Sequence, residues 1–333
     1  MKKWLVIALI VSLMATLLTG CSQPAPAAAP AAQEPAAPAA DKVYKVAYIA
    51  RAQADSFAAW LANAVVEEAA KYPNIKLDVF DGQANDDTEN GLIENAITNK
   101  YDVIIVQPNN GEAQRPYVEK AVAAGIKVIT TNARISGIAG SSSVDADPYM
   151  QAKVNCDLAF TQVPKDAKVV VLQGPPGNFH ADERRKSWQK EFFDKRPDVK
   201  IVGEEIANWN KDEAMNYMET WVQANPKIDA IIAMNDNMAA GAIEVVKDNP
   251  NYKGILAYGV DGTAEAALMI KEGLMTSTSL QSAYDLATSI LDTTNKLATG
   301  AEKEINMDID CPLITKDNVD KYIEMHKKAG AIK

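Results

Sequence analysis

Short apolar runs alternate with helix-length stretches from about residue 45 nearly to the end of the chain, and the alternation starts over partway along. That rhythm confines the chain to α/β layers, because strands separated by helices are joined by crossovers that lay them parallel. In the first series Lys45–Ala50, Lys76–Phe80, Val103–Gln107 and Lys127–Thr131 read as strands, with helices expected over Phe57–Lys71, Thr88–Asn99 and Ala113–Ala124. Val103-Ile104-Ile105-Val106 is apolar at every position, as befits a parallel strand covered on both faces. The second series has strands at Lys168–Gln173, Lys200–Glu205, Ala230–Met234, Gly254–Val260, Thr276–Leu280 and Ile305–Ile309. Helices are expected between them, and a closing helix over Lys316–Lys328 with Thr315 as its cap. The polar, small-residue segment Ser136–Asp147 reads as the break between the series. The expected fold class is therefore α/β, with two similar doubly wound parallel-sheet lobes joined by a hinge.

Residues 1–21 begin with Lys2 and Lys3, run apolar from Trp4 to Leu18, and end in Leu18-Thr19-Gly20-Cys21. Basic start, apolar run and small residues at a cut site make an export signal. Cysteine after the small pair resembles the lipobox of bacterial lipoproteins, which implies that Cys21 carries a diacylglyceryl group. Residues 22–41 are nearly all Ala and Pro, with no large apolar side chains to repay the entropy of folding. They read as an extended spacer. The expected location is the outer face of the cytoplasmic membrane, lipid-anchored. A formal net charge of −10 argues against nucleic acid as a partner. Beyond the leader, Cys156 and Cys311 remain, and the sequence leaves open whether they pair or stay as thiols.

In open α/β sheets, ligands bind beyond the carboxyl ends of the strands. Those ends are polar here: Gln107-Pro108-Asn109-Asn110, Thr131-Asn132-Ala133-Arg134, Asn235-Asp236-Asn237, Asp261-Gly262-Thr263 and Gln281. Planar carboxylates, amides and guanidiniums can each bond two neighbouring hydroxyls. Phe57 and Trp209 lie in comparable positions and could stack on the C–H face of a sugar ring. Each feature taken singly has a plainer explanation, since Asn235 and Asp236 could simply cap a helix and Asp261-Gly262 could be a turn. Recurrence at several strand ends favours a site.

Asn235-Asp236-Asn237-Met238-Ala239-Ala240-Gly241-Ala242, Tyr258-Gly259-Val260-Asp261-Gly262-Thr263, Leu280-Gln281 and Val170-Val171-Leu172-Gln173-Gly174 carry a resemblance that extends from Val43 to the end. The chain resembles the ribose- and galactose-type sugar-binding proteins of ATP-driven (ABC) importers. Transcriptional repressors share the first of these motifs, but a repressor needs a basic DNA-binding head where this chain has a lipobox. The resemblance implies the type I periplasmic binding protein fold. It divides the chain into a first lobe of residues 42–146 plus 282–311 and a second of 147–281 plus 312–333, with hinges near Asp147, Gln281 and Cys311. It implies ligand contacts from Asn235, Asp261 and Gln281, from Gln107 and Asn132 in the first lobe, and stacking by Phe57 and Trp209.

Two departures from the ribose-type pattern are visible. Asp182 stands by spacing where a ligand-gripping arginine is expected, and Arg184 reads as the structural arginine of that helix. The Asp-Arg pair expected after the fourth strand is Asn132-Ala133, with Arg134 one step on. Asp182 and Asp261 together would favour a neutral ligand over an anionic one. Of the two histidines, His180 lies in the cleft-side loop, where it could touch a ligand although a surface position is the plainer reading, and His326 reads as solvated.

No phosphate loop, nucleophile elbow or His-Glu-x-x-His motif is present. The expectation is a binding protein rather than an enzyme, monomeric, without cofactor or metal. It would capture a neutral monosaccharide or cyclic polyol and hand it to membrane permease subunits. A furanosyl quorum signal or a nucleoside is the alternative ligand, and a lipid-anchored hydrolase the alternative class.

Overall fold

The computed structural model describes residues 42–333. The leader, Cys21 and the Ala/Pro spacer of residues 22–41 lie outside the described residues. The first series folds as β1 (Tyr44–Ala50), α1 (Ser56–Ala69), β2 (Ile75–Asp81), α2 (Asp86–Thr98), β3 (Val103–Val106), α3 (Gly111–Ala123), β4 (Lys127–Thr130) and β5 (Ser141–Ala146). After α4 (Pro148–Gln162) the second runs β6 (Lys168–Gln173), α5 (Phe179–Glu191), β7 (Lys200–Ile206), α6 (Lys211–Ala224), β8 (Ala230–Ala233) and α7 (Asp236–Val246). It continues through β9 (Leu256–Asp261), α8 (Ala264–Glu272) and β10 (Ser277–Leu280). The chain ends with α9 (Ala283–Thr299), β11 (Asn306–Ile309), β12 (Leu313–Thr315) and α10 (Val319–Lys328).

Two six-stranded sheets result, ordered β2-β1-β3-β4-β5-β11 and β7-β6-β8-β9-β10-β12. All pairings are parallel except β10 with β12. Both sheets repeat one winding, so each reverses its strand order beside its first strand, where the crevice for a ligand opens. In β1 the side chains alternate between two cores. Val46, Tyr48 and Ala50 join Leu61 and Val65 of α1 and Ile290 of α9, whereas Ala47 and Ile49 join Ile93 of α2 and Val118 of α3. Fully burying such side chains is worth roughly 1.5–3 kcal/mol each, which holds the helices on both faces. The chain passes between sheets after β5, after β10 and after β11.

The structure corrects three expectations. Ser136–Asp147 is not merely a break, because Ser141–Ala146 forms the buried strand β5. Two of its three serines are satisfied sideways: Ser143 Oγ donates to Asn306 Oδ1 at 2.9 Å, and Ser142 Oγ accepts from the Ile305 N–H at 3.0 Å, while Ser141 Oγ is buried without a partner among the described residues. Thr315 caps nothing at the last helix. It ends β12, and α10 starts at Val319, while Asn318 folds back to donate to the Leu313 carbonyl at 2.9 Å. His326 is not solvated but 1% exposed on the inner face of α10. Cys156 and Cys311 are both free thiols. Among the described residues no helix is long and apolar enough to cross a membrane.

Candidate functional site

The carboxyl ends of both sheets meet around a small cavity. Its first-lobe wall consists of Arg51, which directly follows β1, Asp55 and Phe57 at the start of α1, and Asn132 after β4. Its second-lobe wall consists of Asn178, His180 and Arg184 at the start of α5, Trp209 before α6, Asn235 before α7, and Asp261 at the end of β9.

Each lobe contributes one ion pair. Arg51 Nη2 lies 2.9 Å from Asp55 Oδ2, and Arg184 Nη2 lies 3.6 Å from Asp261 Oδ1; all four side chains are buried. Asp55 also caps α1, its Oδ1 accepting from the Ala58 N–H at 2.8 Å. Burial pushes the Asp261 carboxyl well above the usual carboxylate range, while the Arg184 guanidinium pulls it back. Formal charge around the cavity is thus balanced, two guanidiniums against two carboxylates.

Arg184 is more than a scaffold residue. Its Nε and Nη2 both donate to Gln151 Oε1, at 2.9 and 2.8 Å, and its Nη1 donates to the Met234 carbonyl at 2.8 Å. His180 joins it to the first lobe. A carboxylate only accepts, so the 2.8 Å contact with Asp145 Oδ1 places the proton on His180 Nε2. The bare Nδ1 then accepts from Arg184 Nη2 at 3.1 Å. Burial lowers the His180 pKa against the pull of Asp145, and the guanidiniums of Arg184 and Arg134 lower it further. Burial opposes ionisation of Asp145, but His180 and Arg134 outweigh it and hold the carboxyl below its ordinary range. A second bridge between lobes runs from Asn178 Nδ2 to the Asn109 carbonyl, at 3.1 Å.

Three of the lining residues carry backbone strain. Asn132 (φ 43°), Trp209 (φ 62°) and Asp261 (φ 120°) all adopt positive φ without being glycine. Such residues cost of order 1–3 kcal/mol each and persist where surroundings impose them. Trp209 is pinned by Asn237, whose Nδ2 donates to its carbonyl at 2.7 Å. Its indole fills the space beside Gly174, where a Cβ would lie 2.2 Å from a ring carbon.

Of the residues expected from sequence, Phe57, Asn132, Trp209, Asn235 and Asp261 border the cavity. Asn235 uses Oδ1 to accept from the Met238 N–H at 2.9 Å, which leaves its amide donors for a ligand. Gln107 and Gln281 sit behind the wall. Gln107 Nε2 donates to Asn132 Oδ1 at 2.6 Å and its Oε1 accepts from the Arg51 N–H at 3.1 Å, so it positions two lining residues. Gln281 Oε1 accepts from Gln151 Nε2 at 2.8 Å, while its own Nε2 is buried without a partner among the described residues. Arg134 and Asp182 lie away from the cavity. Arg134 turns to the first lobe's edge strands, pairing with Asp145 at 3.3 Å and with Asp308. Asp182 is exposed on α5, two residues and so about 200° around the helix from Arg184. The missed residues are Arg51, Asp55 and Asn178, together with His180 and Arg184, which sequence reasoning had given other roles. Arg51 was findable, because it obeys the same strand-end rule as Gln107. Among the described residues no group of three or more His, Cys, Asp or Glu is placed to hold a metal ion.

Comparison with known proteins agrees with this architecture. The profile described as "Periplasmic binding protein domain" matches residues 46–302. The xylitol-binding protein of Mycolicibacterium smegmatis is 30% identical over 257 residues, covering 77% of this chain and 73% of that protein. The D-apiose import binding protein of Paraburkholderia graminis is 31% identical over 261 residues, covering 76% and 81%. The crystal structure of a Caulobacter myo-inositol binding protein bound to myo-inositol superposes with a TM-score of 0.79 at 25% identity, over 85% of this chain and 97% of that one. These proteins bind solutes and are not enzymes. The chain belongs to the periplasmic binding protein family.

Proposed function

We propose that this protein is an extracytoplasmic solute-binding lipoprotein of an ABC importer that captures a neutral monosaccharide or polyol and delivers it to a membrane permease. The observation that carries the reading is the cavity itself. It is small, charge-balanced, and built from both lobes, with an aromatic ring from each, Phe57 and Trp209. Two ion pairs offer both donors and acceptors to vicinal hydroxyls without imposing a charge on the ligand. The relatives point the same way, since xylitol, apiose and myo-inositol are all uncharged and rich in hydroxyls.

The mechanism follows from the three interlobe passages. Rotation about residues 147, 281–282 and 310–312 would open the cavity to solvent, and a ligand touching both walls would favour the closed arrangement. Closure would present the permease with a surface that the open form lacks. Anchoring through Cys21 rests on the lipobox resemblance alone.

A thermal-shift screen of xylitol, apiose, myo-inositol, pentoses, hexoses and nucleosides tests the reading. A solute at about a thousand times its dissociation constant adds roughly 4 kcal/mol of stability. Absence of any shift across the sugars and polyols, or a shift only with anionic compounds, would overturn it. Cys21→Ser should leave ligand binding intact and release the protein from membranes.

A further inference from the structure

Two turns meet across the lips of the cleft. Residues 107–110 join β3 to α3 in the first lobe, and residues 174–178 join β6 to α5 in the second. Asn178 Nδ2 donates to the Pro108 carbonyl at 3.4 Å and to the Asn109 carbonyl at 3.1 Å. The Gly111 N–H donates to the Gly177 carbonyl at 3.3 Å. Gly177, at φ 78°, lies so close to Asn110 that a Cβ there would stand 2.9 Å from its Oδ1. Each of these contacts is made by protein to protein.

Both turns are fixed from behind. In the first lobe Glu89 Oε2 accepts from the Asn109 N–H at 3.0 Å, Asn109 Nδ2 donates to Asp86 Oδ1 at 2.7 Å, and Gln114 Oε1 accepts from the Asn110 N–H at 2.7 Å. In the second, Pro175 and Pro176 stiffen the chain. Asn178 Oδ1 caps α5, accepting from the N–H groups of His180 and Ala181 at 3.0 and 3.3 Å. Surfaces held in shape beforehand lose little entropy when they meet. The turns also lie well away from the passages between lobes. β3 is two strands from β5 in its sheet and β6 three from β10 in the other, about 10 and about 14 Å at the usual strand spacing. Rotation about the passages therefore parts these contacts widely, whereas Asp145, which His180 holds, is only two residues from the passage at 147.

We infer that the two turns form a latch that draws the lobes together before a solute arrives, and that the closed fraction it maintains sets how tightly the cleft holds its solute. The latch rests on the hinge closure proposed above. When only a fraction of molecules is competent to bind, the dissociation constant rises by the inverse of that fraction. Weakening the latch then costs affinity even where no group facing the cavity is altered.

Hydrogen exchange at the Gly111 amide of the solute-free protein tests the latch. Gly111 is the first residue of α3, so its N–H has no partner within the helix and bonds across the cleft instead. Exchange about tenfold or more slower than in an unstructured peptide is expected. Asn178→Asp keeps an acceptor to cap α5 but turns the donor into a second acceptor, and should restore fast exchange. A peptide-like rate in the unaltered protein, or equal protection in Asn178→Asp, would overturn the latch. Gly111→Pro provides a second variant. Proline suits the first helical position, Asn110 before it is already extended (φ −135°, ψ 109°), and a Cβ at 111 meets nothing nearer than Ile135 Cγ1 at 3.8 Å. The substitution replaces the N–H by a ring carbon while leaving the fold intact. The solute-free radius of gyration from small-angle X-ray scattering should increase, and the dissociation constant of a solute identified by the screen should rise about tenfold. An unchanged radius would overturn the latch, and an unchanged constant its control of affinity. A screen that finds no solute would overturn the function proposed above, while exchange and scattering still decide the latch.

Discussion

The two lobes wind their sheets alike, yet they arm the cleft differently. The first lobe's ion pair is local: Arg51 and Asp55 are four residues apart, on one strand end and the helix cap that follows it. The second lobe's pair is assembled from afar, with Arg184 on α5 and Asp261 on β9. It is also tied into a network. Gln151 joins Arg184 to Gln281 at one passage between lobes, and His180 joins it to Asp145, the penultimate residue of β5, at another. A short-range pair can grip a ligand without consulting the rest of the protein. A pair wired to two passages transmits what it feels. On the proposed hinge closure, the first lobe would supply affinity and the second would couple the ligand to closure.

Substitutions can break that contrast. Arg184→Met should have the largest effect. It strands Asp261 and Gln151 in a buried site, at a cost of about 3–5 kcal/mol, read as a lowered melting temperature together with lost solute binding. Arg51→Met should weaken binding by about 10- to 100-fold, as expected for a lost charge-assisted hydrogen bond. Its melting temperature without ligand should fall less than that of Arg184→Met, because Asp55 still caps α1. If the two variants lose stability equally, the contrast is wrong.

A pH series sharpens it. Burial pushes the Glu89 carboxyl up to about 8, against the pull of the Asn109 N–H and Arg51. The folded protein then holds a proton that the unfolded chain releases at lower pH, so stability falls as pH rises from the ordinary glutamate range through about 8. Glu89 lies beneath the loop that meets Asn178, so Glu89→Gln should flatten that slope in melting temperature without touching the second-lobe network. Smallest of all, Asp182→Ala should change stability by no more than about 0.5 kcal/mol and leave solute affinity unchanged, since it is an exposed surface position.

The layers, the strand–helix order and the cleft at the strand ends were legible because apolar parallel strands and polar strand ends announce themselves along the chain. β5 was not, because a strand whose serines bond sideways to β11 looks like a linker when that neighbour lies far along the sequence. Helix α4 hid for a related reason. Its buried stripe is Ala152, Cys156 and Ala159, too small to stand out as an apolar face. In the site, the strand-end residues Asn132, Asn235 and Asp261 border the cavity while Gln107 and Gln281 lie behind it, and choosing between Asp182 and Arg184 required knowing which face of α5 turns inward. Spacing to a motif could not say that. His326 was misjudged although it completes the i, i+3, i+4, i+7 stripe Val319, Tyr322, Ile323 and His326 that α10 buries, because a histidine at the end of such a stripe reads as polar.

Trp209 rests in a seat made by the missing side chain of Gly174, and the other wall of that seat is the cavity. Even a methyl group at 174 must evict the indole from its berth. The room left for a guest is thus governed from a position that never meets the guest, behind the panelling rather than on it. Relatives could retune the size of what they carry by a change there while every group that bonds hydroxyls stays put.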